Sequence, residues 1–167
     1  SVLPGLRVGI AYENGAQHVL LNGEDVSDAI RTPEIAYYAS KVSAVPEVRE
    51  FLLSTQRDMA KNGNILMDGR DIGTVILPDA PVKIFLTASS ESRAERRYKE
   101  LIAKRQQVTM ESVLHDINER DRQDMNRAIA PLRQAEDAVL LDTSALTLDE
   151  SIEAVLRIIR EKTEENK

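Results

Sequence analysis

Three groups of arginine and aspartate carry most of the chemistry this sequence can offer. The densest is Glu119-Arg120-Asp121-Arg122-Gln123-Asp124-Met125-Asn126-Arg127. Arg120, Asp124 and Arg127 stand at i, i+4 and i+7, a spacing that places them on one face of a helix. Two guanidiniums flanking a carboxylate suit an anionic ligand that also bears hydroxyls. Arginine grips phosphate with paired N–H groups, and aspartate accepts hydrogen bonds from sugar hydroxyls or base amines. The same stretch also reads as a solvated helix face laced with ion pairs. The second group is Asp68-Gly69-Arg70-Asp71-Ile72-Gly73, directly after the apolar run Ile65-Leu66-Met67. Its two glycines let a ligand come close to the backbone. Arg70 and Asp71 there either face a ligand crevice or form a local ion pair in an ordinary strand-to-helix turn. The third group is Arg93, Arg96 and Arg97, with Lys99 and Lys104 nearby. On a helix these arginines align and can close over a polyphosphate, stabilising charge in transfer. Glu91, Glu95 and Glu100 are interleaved, which fits an exposed charged helix as well.

Other chemistries are excluded by what the sequence lacks. It has no cysteine and two histidines, His18 and His115, so disulfides and thiolate metal sites are ruled out and no metal-ligand set is expected. It contains no G-x-x-x-x-G-K-[ST], no G-x-G-x-x-G, no G-x-S-x-G and no H-E-x-x-H. Acidic residues number 28 against 22 basic ones, giving a net charge of −6. That balance argues against nucleic-acid binding, although a local basic cluster can still hold a phosphate. No apolar run approaches the roughly 18 residues of a membrane span, and Ser1-Val2-Leu3-Pro4-Gly5 has no signal-peptide pattern. A soluble cytoplasmic protein is expected.

The elements that must position these groups follow from periodicity. With 167 residues, 42% of them apolar, the chain suits one domain or one domain with a small appendage. Residues 6–12 and 18–21 read as short strands, punctuated by Asn14-Gly15 and Asn22-Gly23, the strongest short hairpin signal. Thr32 before Pro33 starts a helix with the stripe Ile35, Ala36, Ala39 and Val42. Pro46 opens a second helix running to Lys61, with Gly63 beyond it. Ser40 and Arg49 fall in these two helices and Arg31 just before the first; alone, each reads as a surface residue. Strands are then predicted at 65–67, 82–86 and 138–141. Helices are predicted at 91–105, 110–127 and, after the capping box Thr147-Leu148-Asp149-Glu150, through Ile152, Val155, Leu156 and Ile159. Apolar strands alternating with helices make the class α/β, a parallel sheet flanked by helices, with a small antiparallel β insert near the N-terminus. Ligands bind such sheets at the carboxyl ends of the strands.

In this order the groups resemble the bacterial cytidylate kinase family. The most specific stretches are Val45-Pro46-Glu47-Val48-Arg49-Glu50, Met67-Asp68-Gly69-Arg70-Asp71-Ile72-Gly73-Thr74-Val75, Pro78-Asp79-Ala80-Pro81-Val82-Lys83-Ile84-Phe85-Leu86, Arg93-Ala94-Glu95-Arg96-Arg97-Tyr98, and Glu119 to Asp121 through Arg127 to Leu132. The resemblance implies a nucleoside monophosphate kinase-like fold of the P-loop NTPase type and transfer of a phosphoryl group from ATP, with Mg²⁺, to CMP or dCMP. It implies a monophosphate-binding region over 1–63, and the C-terminal part of the kinase core over 64–167 with a short lid near 89–108. Carried over by motif, Ser40, Arg49, Asp71 and Arg127 are expected to read cytosine, and Arg120 and Asp124 to contact the pentose. Arg70, joined by Arg31, is expected to hold the acceptor phosphate, and Arg93, Arg96 and Arg97 to close on ATP.

The sequence departs from the family in one respect. The family begins with a strand, a Walker A loop and a helix, all of which would precede Ser1. The chain is therefore expected to be the C-terminal part of a longer kinase, inactive alone. A monomer is expected for the complete enzyme, and self-association is expected of a shortened chain. A non-catalytic module that keeps the CMP pocket and a purely structural partner are the competing readings.

Overall fold

Both Asn-Gly pairs turn the chain through positive φ, at 53° and 78° for Asn14 and Gly15 and at 53° and 87° for Asn22 and Gly23. Two successive left-handed residues match the twist of a two-residue hairpin, and asparagine and glycine adopt them at least cost. The result is a three-stranded antiparallel sheet in the order β1 (Val8–Glu13), β2 (Ala16–Leu21), β3 (Glu24–Asp25). Its register runs from Val8 opposite Leu21 to Glu13 opposite Ala16, then Leu21 opposite Glu24. The structure, a computed structural model, describes residues 2–61 and 63–165, without the side chains of Pro33, Ala36, Ser40 and Glu165. It divides into two compact units, Ser1–Leu66 and Met67–Lys167.

The first unit continues with two helices, α1 (Pro33–Val42) and α2 (Pro46–Lys61). Thr32 caps α1 by accepting a hydrogen bond from the Ile35 N–H at 3.2 Å, with proline next to the cap, where its missing N–H costs nothing. The sheet has its own polar anchor. His18 Nδ1 lies 2.7 Å from Asp25 Oδ2, while Asp25 Oδ1 accepts from the Ser27 hydroxyl and backbone N–H at 2.5 and 2.9 Å. Donation from the Ser27 hydroxyl, then its N–H, then His18, pulls the Asp25 carboxyl down to about 2. The serine hydroxyl points at the carboxylate rather than the imidazole, so this trio fixes a turn and does not present a nucleophile.

In the second unit two strands pair in parallel, β4 (Ile84–Thr87) and β5 (Val139–Asp142), with Ile84 opposite Val139 and Thr87 opposite Asp142. Three helices accompany them, α3 (Ser90–Ala103), α4 (Met110–Met125) and α5 (Leu148–Glu165). The core lies between α3 and α4, where Ala94, Leu101 and Val113 are buried and Tyr98, Val108, Leu114 and Ile117 pack around them. Ala94 is wholly inaccessible, so a larger side chain there would force the helices apart. Thr109 and Ser112 form a reciprocal cap on α4, and Thr147 and Glu150 form the predicted capping box on α5. No helix among the described residues is long and apolar enough to cross a membrane.

The structure corrects three expectations and adds one turn. Residues 65–67 form no strand, because β4 and β5 pair with each other and nothing in the described residues hydrogen-bonds alongside the run; Leu66 is 89% exposed. A strand exists only by its neighbour, and an apolar run does not supply one. Residues 72–76 make a π-helical turn with i→i+5 bonds, Ile76 N–H to Asp71 O and Leu77 N–H to Ile72 O. Helix α4 ends at Met125, since Asn126 caps it and turns its side chain back to the Arg122 carbonyl. Arg127 therefore lies past the helix, off the face shared by Arg120 and Asp124. The strand predicted from residue 82 begins at Ile84, the first residue in register with β5, opposite Val139; Lys83 before it sends its ammonium to the Pro78 carbonyl and to Asp137, 2.6 Å away.

Candidate functional site

The buried polar residues of the described chain are Asp71, Asp124 and Thr143, all in the second unit. Each lies beside an arginine group singled out by the sequence, and burying a polar side chain requires partners. Asp124, in the last turn of α4, holds Arg70 through Nε to Oδ2 at 2.9 Å. The Asp124 side chain is 10% exposed and that of Arg70 is 39% exposed, so the guanidinium lies at the surface while its partner carboxylate is enclosed. The segment after α4 turns back through Ala130 (φ 49°), and the Leu132 N–H reaches the Asp124 carbonyl at 2.9 Å. Arg70 and Asp124, 54 residues apart in sequence, are thus brought together.

Asp71 follows Arg70 and starts the π-helical turn, its carbonyl accepting from the N–H groups of Val75 and Ile76. Gly69 precedes them at a tight spot: a Cβ there would stand 2.9 Å from the Ile72 side chain. Arg127 has two nitrogens, Nε and Nη2, that are closed off from solvent and make no hydrogen bond among the described residues. Arg120 is exposed on α4.

The three arginines of α3 do not act alike. Arg93 donates through Nε to the Ala88 carbonyl at 3.0 Å and through Nη1 and Nη2 to both oxygens of Asp121, at 3.0 and 2.6 Å. Arg96 reaches the end of β5, donating to the Thr143 carbonyl and hydroxyl and to the Leu146 carbonyl. Arg97 pairs with Glu100 of its own helix at 2.7 Å, at the surface. Two of the three are therefore fixed at the carboxyl ends of the strands.

A serine network joins those strand ends. The Ser144 hydroxyl donates to Asp142 Oδ1 at 2.5 Å and accepts from the Ser89 N–H at 2.7 Å, and the Ser92 hydroxyl donates to the Ser144 carbonyl at 3.0 Å. The Ser144 hydroxyl, with its N–H, holds the Asp142 carboxyl below its ordinary range. Thr143 donates from its hydroxyl to the Thr87 carbonyl at 3.1 Å. Sequence reasoning missed Asp121 and Thr143 as the receivers of Arg93 and Arg96. Asp121 carried one signal: it stands three residues before Asp124 on the same helix.

The remaining candidates belong to the first unit. Arg31 lies 3.6 Å from Asp28 at the surface, and Arg49 donates to the Ser43 carbonyl at 3.2 Å. Ser40 sits in α1, and its side chain lies outside the described residues. Among the described residues no group of three or more histidine, cysteine, aspartate or glutamate side chains could hold a metal ion.

Chemically, the second unit fixes two guanidiniums at the carboxyl ends of a parallel strand pair and holds a third, that of Arg70, on the enclosed carboxylate of Asp124, an arrangement suited to phosphate and hydroxyl-bearing ligands. The family model described as cytidylate kinase matches residues 3–161. The chain is similar to a cytidylate kinase of Thermosipho melanesiensis, 52% identical over 153 residues, covering 92% of this chain and 70% of that protein. One from Carboxydothermus hydrogenoformans is 50% identical over 148 residues, covering 89% and 67%. A third, from Syntrophotalea carbinolica, is 46% identical over 157 residues, covering 94% and 67%.

Proposed function

The chain belongs to the cytidylate kinase family, a family of nucleoside monophosphate kinases, and from that premise we propose that it transfers the γ-phosphoryl group of ATP to CMP or dCMP, giving CDP or dCDP. In this reaction an oxygen of the acceptor phosphate attacks the γ-phosphorus, the bond to the β,γ-bridging oxygen breaks, and ADP leaves. No covalent nucleophile is needed, so positioning and cationic stabilisation carry the catalysis.

The roles proposed are those the family motifs imply. Asp71 and Arg127, with Ser40 and Arg49, read the cytosine. Arg120 and Asp124 hold the pentose; Asp124 uses Oδ2 for Arg70 and offers Oδ1 to a sugar hydroxyl. Arg70, joined by Arg31, faces the acceptor phosphate. Arg93, Arg96 and Arg97 face the donor phosphates, and Arg97 must leave Glu100 to do so. Mg²⁺, when bound with ATP, neutralises phosphate charge. No side chain is assigned to it, because the described residues assemble no ligand set, and no step is routed through it.

The observation that carries the reading is the guanidinium of Arg127. Two donors withdrawn from water without an acceptor cost about 1–3 kcal/mol each. For a ligand to meet these donors the Arg127 guanidinium must first be uncovered, and the carbonyl oxygen and ring nitrogen of cytosine then supply the acceptors. The test is transfer from γ-labelled ATP in the presence of CMP, dCMP or UMP. Labelled CDP is expected from the kinase carrying the family's Walker A segment, with UMP the poorer acceptor. Absence of both CMP binding and CDP would contradict the proposal. A second reading is CMP binding without transfer, for which the same enclosed Asp124 and Arg127 would suffice. Calorimetric binding of CMP with no labelled CDP would select it.

A further inference from the structure

Asp121 and Asp124 stand at i and i+3 on α4 and share one side of the helix. Each holds an arginine from a different element: Asp124 takes Arg70 from the segment after Met67, and Asp121 takes Arg93 from α3. The second pair is the more complete. Both carboxylate oxygens of Asp121 accept from the two Nη atoms of Arg93, while Nε is fixed on the Ala88 carbonyl just beyond β4. A guanidinium carries five N–H donors, so one on each Nη remains for another acceptor. Arg97, four residues on, has no such anchor outside its own helix and sits at the surface with Glu100.

We infer that Asp121 is a positioning residue: its carboxylate holds the Arg93 guanidinium at the carboxyl end of β4, as Asp124 holds Arg70, so that one turn of α4 sets two arginines for the phosphoryl group passing between donor and acceptor. This rests on the phosphotransfer reading above. The physical reason is preorganisation. A long arginine side chain fixed by two parallel charge-assisted bonds meets the transition state without first losing its rotamer freedom. Asparagine in place of Asp121 keeps the shape but supplies one acceptor and no charge, so the fork-to-fork match is lost.

The experiment compares wild type, Asp121→Asn, Asp121→Glu, Arg93→Ala and the double variant Asp121→Asn/Arg93→Ala, assayed well below each unfolding midpoint. Asp121→Asn is expected to lower kcat by about tenfold or more while KM for CMP moves by less than about threefold. Asp121→Glu should recover part of the loss. The double variant should be no slower than Arg93→Ala alone, because a residue that acts through Arg93 has nothing left to act on. An unchanged kcat in Asp121→Asn, or losses that multiply in the double variant, would overturn the inference. If Asp121→Asn does not fold, Asp121→Glu carries the test through the same kcat-against-KM comparison. A wild-type protein that makes no CDP would remove the phosphotransfer reading and this inference with it; a wild-type protein that does, beside a fully active Asp121→Asn, would remove this inference alone.

Discussion

The two units are held together over different distances along the chain. In the first, the polar contacts of the sheet are local: Val19 to Ser27 spans eight residues, His18 to Asp25 seven, and Arg7 to Asn22 fifteen. In the second, the contacts that shape the site join residues far apart: 54 between Arg70 and Asp124, 28 between Arg93 and Asp121, 47 between Arg96 and Thr143, and 55 between Ser89 and Ser144. Local contacts make a sheet from turn chemistry alone. Long-range ion pairs make a site, because they fix side chains from separate elements against one another at the cost of ordering more of the chain.

That contrast is sharpest at Asp124. Asp124→Ala removes the acceptor of Arg70 and the proposed pentose contact together. A fall in kcat/KM for CMP of about 10²–10³ is expected. Unfolding stability should drop by about 1–3 kcal/mol, since the arginine left behind is half exposed and can be rehydrated. Coupled assay and denaturant titration measure the two effects. Activity retained within a factor of two would break the link between long-range pairing and the site.

The next effect is on packing alone. Leu101 lies in the α3–α4 core, and Leu101→Ala should cost about 2–4 kcal/mol. The amide protection lost should be that of α3 and α4, read by hydrogen exchange, with β1 and β2 unaffected. Equal loss in β1 and β2 would show that the units do not unfold separately.

The smallest effect belongs to the first unit. The Asp25 carboxyl is depressed to about 2 from its ordinary 3.8, first by the Ser27 hydroxyl. A depressed folded-state value means that its contribution is fully present above 3.8 and is lost as pH falls through about 2. Wild type should therefore be more stable than Asp25→Asn above pH 4, and the two should converge at the acid end. Protection of the Val26 amide, which bonds the Val19 carbonyl, reports it. A constant difference across that range would assign the effect to something other than this carboxylate.

What could be read from the sequence follows the same division. Asn14-Gly15 and Asn22-Gly23 named their hairpins, and Thr32 and Thr147 with Glu150 named their helix starts, because each signal lies within a few residues of its effect. The run 65–67 was legible as apolar but not as unpaired, since strand pairing is a property of the neighbour. Arg127 was extrapolated along a helix that Asn126 ends two residues after Asp124. Asp121 and Glu119 look alike in sequence, yet Glu119 pairs with Arg122 on the same helix while Asp121 pairs with Arg93 across to α3. Nothing local distinguishes them. The π-helical turn at 72–76 has no sequence signal that periodicity detects. The 2.9 Å contact of Arg70 with Asp124 joins two motifs that the sequence offered separately, and no local signal announces it.

The most direct measurement is a calorimetric titration of CMP into wild type and Arg127→Ala, with the unfolding stability of both recorded. Removing a guanidinium whose Nε and Nη2 lack partners among the described residues should leave stability equal or raised, while CMP affinity falls by about tenfold or more. Unchanged CMP affinity in Arg127→Ala, or a loss of stability that matches the loss of binding, would contradict the assignment of these donors to the nucleotide.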